Sequence, residues 1–471
     1  MTTKTKIISA FFLMASILLI SGCGCKPRNL HRYNLSLEIW GPFDRGDALR
    51  EIFNAYKKIN PNIRNISYKV IPRDSYKKEL LDALASGQGP DIFLINNTWL
   101  PSFKDKIVSA PQVRPIINEK EFEDNFVDVA TADFIDQGKI YAMPLSVDSL
   151  GLYYNKDLFN QAGIVSPPTN WDEFVQDAQK LTKIDNFNQI IQSGVALGTA
   201  YNINRSTDIL SLLMLQNGTE MVDSKGNIKF SDSVFTKGKT IFPGENALSF
   251  YTQFANVGSP SYTWNPQMHY SIDAFSEGKT AMMFNYSWQR KTVAEKEPKL
   301  NFAVAEIPQF KNSPKINYAN YWGFAVAKNK ITQNENARAN KRMPISSNDT
   351  RVKEAWAFLT YLTTKPSRFF VSALTGAKLS KVANPTFDPA KSYLKKTGEP
   401  AARRDIIETQ KSDPKIGVFA TGNLIAKSWR ESYPDAIEGI LASMINQVNR
   451  GQASVSDALS SAAQRAQALT R

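Results

Sequence analysis

Cysteine is nearly absent from this chain. Among 471 residues there are two, Cys23 and Cys25, both near the N-terminus. No disulfide framework can brace the body of the fold, so its stability must come from packing. Histidine is equally scarce, with only His31 and His269. No His, Cys, Asp and Glu residues fall at zinc spacing, so neither a metal nor a cofactor is expected. A Ser-His-Asp triad would have to be built on His269. No Gly-x-Ser-x-Gly elbow or glycine-rich phosphate loop accompanies it, and the chain is not expected to be an enzyme. Beyond the N-terminus no apolar run approaches the length of about 18 residues that a membrane helix requires. Clustered basic charge is missing too. Lys and Arg number 57 against 44 Asp and Glu, a formal charge of +13, but they are dispersed along the chain. No nucleic-acid partner is expected from that pattern, and the charge reads as surface solvation.

What is present begins at the N-terminus. Lys4 and Lys6 precede an apolar run over residues 7–20. That run is short for a membrane span and fits the core of a secretory signal. It ends in Ile20-Ser21-Gly22-Cys23, which resembles a bacterial lipobox. The resemblance implies a lipoprotein signal peptide over 1–22 and a lipidated tether over 23–33. Cys23 would carry the lipid and anchor the protein to the membrane on its extracytoplasmic side. Cys25 is a spare thiol or a second acylation site. The aromatic content of 11% argues for a well-packed body rather than a stalk.

The body alternates strand and helix. Leu35-Ser36-Leu37-Glu38-Ile39-Trp40 alternates like a strand. Leu49, Ile52, Phe53 and Tyr56 lie at helical spacing over 47–59, and Asn60-Pro61 stops that helix. Strands over 66–71 and 91–95 flank a helix over 76–85. This rhythm predicts a parallel sheet with helices on its faces. Later strands are expected within 141–154 and over 280–285, 302–307 and 322–327. Helices are expected over 170–181, 270–278, 351–363, 436–449 and 454–469. Trp171 and Trp356 fall on the apolar faces of two of them and read as core. Segments 329–350 and 384–416 are polar and read as surface loops or insertions.

Four segments, in order, resemble family 1 extracellular solute-binding proteins, the group that includes maltose-binding protein. They are Ser86-Gly87-Gln88-Gly89-Pro90-Asp91-Ile92-Phe93, the run from Gly138 through Met143-Pro144 to Phe159, Ala274-Phe275-Ser276-Glu277-Gly278-Lys279-Thr280, and Trp322-Gly323-Phe324-Ala325-Val326. The resemblance covers about residues 35–470 and implies an α/β, two-lobed periplasmic-binding-protein-like fold of type II. Each lobe would hold a mainly parallel sheet flanked by helices. Lobe one would take 34–146 and 303–377, and lobe two 150–300 and 378–471. The hinge would lie near 146–150, 300–303 and 376–380. The implied function is capture of a solute, a mono- or oligosaccharide, for the permease subunits of an ABC importer, by closure around the ligand. A non-sugar solute such as a polyol phosphate, peptide or polyamine stays open, as does a surface enzyme acting on polysaccharide. A polyamine would demand several acids, which the expected cleft does not offer.

Sugars present hydroxyls to polar groups and C–H faces to aromatic rings, so the candidates mix both types. Trp40, Asp44 and Arg45 follow the first strand and match the maltose binder's Trp and Asp-basic-Gly spacing. Asn96, Asn97 and Trp99 follow the third. The acid that family members carry in that loop is missing here. Asp148 is an acid in an apolar stretch, which requires a partner. Tyr201 and Arg205 precede an apolar helix. Asn285, Tyr286 and Trp288 follow the strand at 280–285, and Trp288 matches a family ring that stacks on sugar. Trp322 opens the last strand.

Overall fold

The structure is a computed structural model that describes residues 34–112, 117–187, 189–330 and 347–470. The signal 1–22, the tether 23–33 with Cys23, and most of segment 329–350 lie outside the described residues. Eight strands make two principal sheets: β1 (Leu35–Gly41), β2 (Ile63–Val70), β3 (Ile92–Asn96), β4 (Ala142–Pro144), β5 (Gly151–Asn155), β6 (Met282–Asn285), β7 (Phe302–Ala305) and β8 (Trp322–Val326).

The first sheet runs β2-β1-β3-β8-β4. Its β1/β2 and β1/β3 pairs are parallel, because helices Gly46–Ile59 and Arg73–Ala85 carry the chain back between strands. The first helix buries Ala48, Leu49, Ile52, Phe53 and Tyr56, the stripe its spacing predicts. Strand β8 arrives from the second lobe and lies antiparallel to both β3 and β4.

The second sheet departs from expectation. It is three-stranded, β6-β5-β7, and both of its pairs are antiparallel. Strands β6 and β7 are joined through helix Gln289–Lys296, and β5 fills the slot between them, running against both. Parallel pairing appears at its margins, in the bridges Ser193↔Thr280 and Asn170↔Gln309. Helix Ser271–Ser276 ends ahead of β6 with Gly278 at φ 70°, the left-handed cap that glycine tolerates best.

Two apolar cores divide the chain. The first holds residues from Leu35 to Val147, then Ala319 to Ala327, the helix Asn348–Thr363, and residues from Ala390 to Ile407. The second holds residues from Leu150 to Tyr318 and the helices Pro434–Asn449 and Val455–Leu469. The chain therefore crosses at 147–150, at 318–319, and for a third time between 407 and 429. The first crossing falls within residues 146–150. The second and third lie later than the expected 300–303 and 376–380, for identifiable reasons. Strand β7 and Ile307 pack into the second core although they follow residue 300. Segment 384–416 is no surface insertion. Helices Pro389–Thr397 and Arg404–Gln410 bury Ala390, Tyr393, Leu394, Ile406 and Ile407 in the first core. Their apolar residues are few, and polar and charged residues make up the rest of both helices.

Trp171 and Trp356 are buried as their positions predict. Each indole N–H finds an acceptor, Gln216 Oε1 at 2.6 Å and the Val108 carbonyl at 3.2 Å. Asn170 caps its helix by accepting from the Glu173 N–H at 3.1 Å, and Ser454 caps the last helix by accepting from Asp457.

Candidate functional site

A cleft of about 350 Å³ opens between the two cores. On the first side, β3 ends at Asn96 and delivers Asn96, Thr98 and Trp99 to the wall. Helix Arg73–Ala85 contributes Arg73, Asp74 and Lys77 from its first turns, and β8 contributes Trp322 from its first residue. On the second side, Arg205 and helix Ser206–Gln216 contribute Thr207, Asp208 and Ser211. Glu431 and the start of helix Pro434–Asn449, with Asp435 and Glu438, complete that wall. Asn320, at the second crossing, lies at the back.

The first wall is aromatic. The Trp322 ring meets Trp99 edge-on at 5.1 Å between centroids and Phe43 edge-on at 5.5 Å. Trp99 in turn stacks on Phe103 at 5.3 Å. Rings braced this way hold their orientation; Trp322 is partly exposed to the cleft, while Trp99 is buried against Phe103 and backs it. Behind them an amide chain joins the lobes. Asn96 Nδ2 donates to Asn320 Oδ1 at 3.0 Å, Asn320 Nδ2 to Asp208 Oδ2 at 3.4 Å, and Tyr286 Oη to the same Asp208 oxygen at 2.7 Å.

The second wall is charged. Arg205 sits at φ 63°, a left-handed conformation that costs a non-glycine residue energy and recurs at functional sites. Its guanidinium lies 5.6 Å from the Trp288 ring centroid and 6.0 Å from that of Tyr286. Trp288 is 42% exposed and stacks on Tyr286 at 4.6 Å and 20°. It therefore borders the cleft through Arg205 without lining it. Burial, and then the neighbouring Asp208, Glu438 and Asp435, raise the Glu431 carboxyl well above the ordinary carboxylate range. Glu438 is raised as well, by burial and then by Asp208. Burial and the nearby Arg205 lower Arg73.

Of the expected residues, Asn96, Trp99 and Trp322 line this cleft, as does Arg205. The others lie elsewhere. Trp40 is buried in the first core beneath Lys69, whose ammonium is 4.3 Å from the ring centroid. Asp44 is exposed and accepts weakly from the Gly46 N–H at 3.4 Å. Arg45 is paired with Glu399. Asn97 is buried, donating to Asp133 at 3.1 Å and accepting from the Tyr321 N–H at 3.2 Å. Asp148 is buried beside the first crossing and accepts from the Ser287 N–H at 3.0 Å. Asn285 is buried and donates to Asn204 at 3.1 Å. Tyr286 is buried beneath Trp288, and Tyr201 is exposed away from the lining. A strand-end position carries a side chain toward the cleft or back into the core according to which face it occupies.

Sequence reasoning missed Arg73, Lys77, Asp208, Glu431 and Glu438. It also missed the acidity of the cleft, whose lining holds five carboxylates: Asp74, Asp208, Glu431, Asp435 and Glu438. Asp208 left a legible signal, an acid preceding the apolar run Ile209 to Leu215. Asp74 and Asp435 occupy first turns of helices, where acids also serve the helix dipole and carry no distinguishing mark, and Arg73 and Glu438 lie beside them on the same helices. Among the described residues, no three His, Cys, Asp or Glu side chains come together to hold a metal ion. None of the described helices is long and apolar enough to cross a membrane.

Comparison with known proteins accords with this architecture. The crystal structure of the cyclic alpha-maltosyl-1,6-maltose binding protein from Arthrobacter globiformis superposes with a TM-score of 0.68 at 19% identity, covering 92% of this chain and 98% of that one. A protein of Brucella abortus (strain 2308) is 27% identical over 266 residues, 56% of this chain and 60% of its own length. An uncharacterized ABC transporter extracellular-binding protein of Pyrococcus horikoshii is 26% identical over 257 residues, 54% of this chain and 57% of its own. The chain thus spans about 60% of the length of the curated relatives it matches. Residues 40–368 match the model of the bacterial extracellular solute-binding proteins, and the chain belongs to that family.

Proposed function

We propose that this protein captures a carbohydrate in the cleft and delivers it to the permease of an ABC importer. The observation that carries the reading is the cleft itself, with braced Trp99 and Trp322 rings on one lobe and hydrogen-bonding carboxylates on the other. Rings offer faces to sugar C–H groups, and carboxylates and amides accept from or donate to hydroxyls. A ligand touching both walls favours the state in which both are near, so closure follows from differential binding. The carbohydrate named for the Arthrobacter relative and the transporter named for the Pyrococcus relative support the same reading. The chain acts by binding, without turnover. Trp288, exposed beside Arg205, extends the site at its rim.

Titration of intrinsic tryptophan fluorescence with mono- and oligosaccharides tests this. A saturable shift is expected, and Trp322→Ala should weaken binding by about 1–3 kcal/mol, the worth of a stacked ring. Trp288→Ala should weaken it less, in keeping with a place at the rim. Silence across the panel would overturn the carbohydrate reading.

The same proposal places Cys23 as the lipid-bearing first residue of the mature chain, following Ile20-Ser21-Gly22. Cell fractionation decides it. Cys23→Ser should move the protein from the membrane pellet to the soluble fraction, and retention in the pellet would refute the anchor.

A further inference from the structure

The acidity of the cleft runs against the composition of the chain. The whole sequence is formally +13, yet the lining sets five carboxylates against three cations, Arg73, Lys77 and Arg205. Lys77 is already engaged, its ammonium 2.7 Å from Asp435 Oδ2. The centre of the excess is Glu431. It is only 9% exposed, lines the cleft, and receives no hydrogen bond from any described residue. Its neighbour Arg430 cannot reach it. That guanidinium is turned to the first lobe, donating to Asp136 Oδ1 at 3.0 Å and to the Ala132 carbonyl at 2.7 Å. Ser428 donates to Asp133 from the same segment, so the segment is pinned with the Glu431 carboxyl facing the cavity.

The Glu431 side chain is nine-tenths buried with no donor from the described residues, so its carboxyl depends on what enters the cleft. Its neighbours deepen that dependence, since Asp208 stands on helix Ser206–Gln216 and Glu438 on helix Pro434–Asn449, both close enough to act on it electrostatically. Arg205 acts electrostatically on Asp208 and Glu438 but forms no ion pair within 4 Å among the described residues, and its guanidinium lies over Trp288 and Tyr286. A compact cation with several N–H donors answers both the missing donor and the surrounding acids.

We infer that Glu431, with Asp208 and Glu438, forms a subsite for a protonated amine, and that the captured carbohydrate is an amino sugar with a free amino group. This rests on the carbohydrate reading above and narrows it. An ammonium donates three hydrogen bonds from one point, which suits a carboxyl flanked by two more. The partly exposed Trp322 ring, backed by Trp99, then faces the C–H side of the sugar ring, a contact that a linear polyamine would leave unused.

The test is isothermal calorimetry on the full chain with matched oligomers: glucosamine oligomers, their N-acetylated counterparts, and unsubstituted β-linked glucose oligomers of equal length. The free amine should bind about tenfold or more tightly than either counterpart, the worth of one charge-assisted hydrogen bond. Glu431→Gln should abolish that preference, so that the free-amine oligomer binds no more tightly than its two neutral counterparts. Glu438→Gln, at an exposed position, should reduce the preference partially and serves if Glu431→Gln fails to fold. Equal binding of all three oligomers, or a preference for the free amine that survives Glu431→Gln, would overturn the subsite and leave the carbohydrate reading standing. Binding of spermidine with no response to any saccharide would overturn both.

Discussion

Asp148 shows at a single residue how burial decides protonation. Its carboxyl accepts from the Ser287 N–H and hydroxyl, which favour the charged form, but its Oδ1 has no partner. Burial outweighs both bonds and raises the group from the ordinary 3.8 to about 8, with Glu399 adding repulsion. The sign of the consequence follows. Between about pH 4 and 8 the folded chain holds a proton that the unfolded chain has lost. This residue's contribution is therefore complete below pH 4 and declines as pH rises through 8, at about 1.36 kcal/mol per pH unit. Asp133 acts in the same sense up to about pH 6, because burial outweighs the donors Ser428, Tyr321 and Asn97. Asp136, Glu51 and Glu277 carry lowered values and act in the opposite sense, so the difference between variants is the quantity to measure. Thermal midpoints of Asp148→Asn, minus those of the natural chain, should climb between pH 5 and pH 8. Parallel curves would mean that Asp148 is ionised throughout.

At the scale of elements, the sequence was most legible where one periodicity served one core. The helix Gly46–Ile59 and the strands β1 to β3 follow from apolar spacing, and Asn170 and Ser454 cap the helices they head. The strand-end rule located Asn96, Trp99 and Trp322, because a residue leaving a strand edge at a cleft has few other destinations. Asn97, next to the cleft-lining Asn96, turns back to Asp133, since adjacent residues point to opposite faces, and Asn285, though last in its strand like Asn96, is buried and donates to Asn204. The antiparallel second sheet was illegible for a different reason. Pairing of β5 with Met282 to Asn285 and with Phe302 to Ala305 spans more than a hundred residues, and local pattern carries no record of direction. The helices Pro389–Thr397 and Arg404–Gln410 were hidden by composition, because few apolar residues pack and polar and charged residues surround them. Glu431 lies in an irregular segment, and its role exists only because the third crossing brings that segment against helix Ser206–Gln216.

At the scale of the whole molecule, the chain crosses between cores three times, and the lobes also touch across the cleft. Lys77, on the first-lobe helix Arg73–Ala85, meets Asp435 at the start of the second-lobe helix Pro434–Asn449. The Lys77 ammonium also lies 5.1 Å from the centroid of the Trp99 ring, which holds it ready on its own lobe. Neither partner of the pair can be satisfied by the other once the lobes separate, so the contact belongs to the closed arrangement alone. An exposed pair of this kind contributes about 0–1 kcal/mol, a shift of up to about fivefold in the ratio of closed to open chains. That is too little to hold the cleft shut, and enough to lower the closing energy that a ligand must supply. Lys77→Ala should therefore raise the radius of gyration of the ligand-free chain in small-angle scattering. Because Lys77 also lines the cleft, the measurement without ligand separates closure from lost contact. Salt supplies the control: near 1 M the screening length falls to about 3 Å, and the natural chain should expand toward the variant while the variant barely responds. Identical scattering at low salt would mean that the three crossings alone set the distance between the lobes.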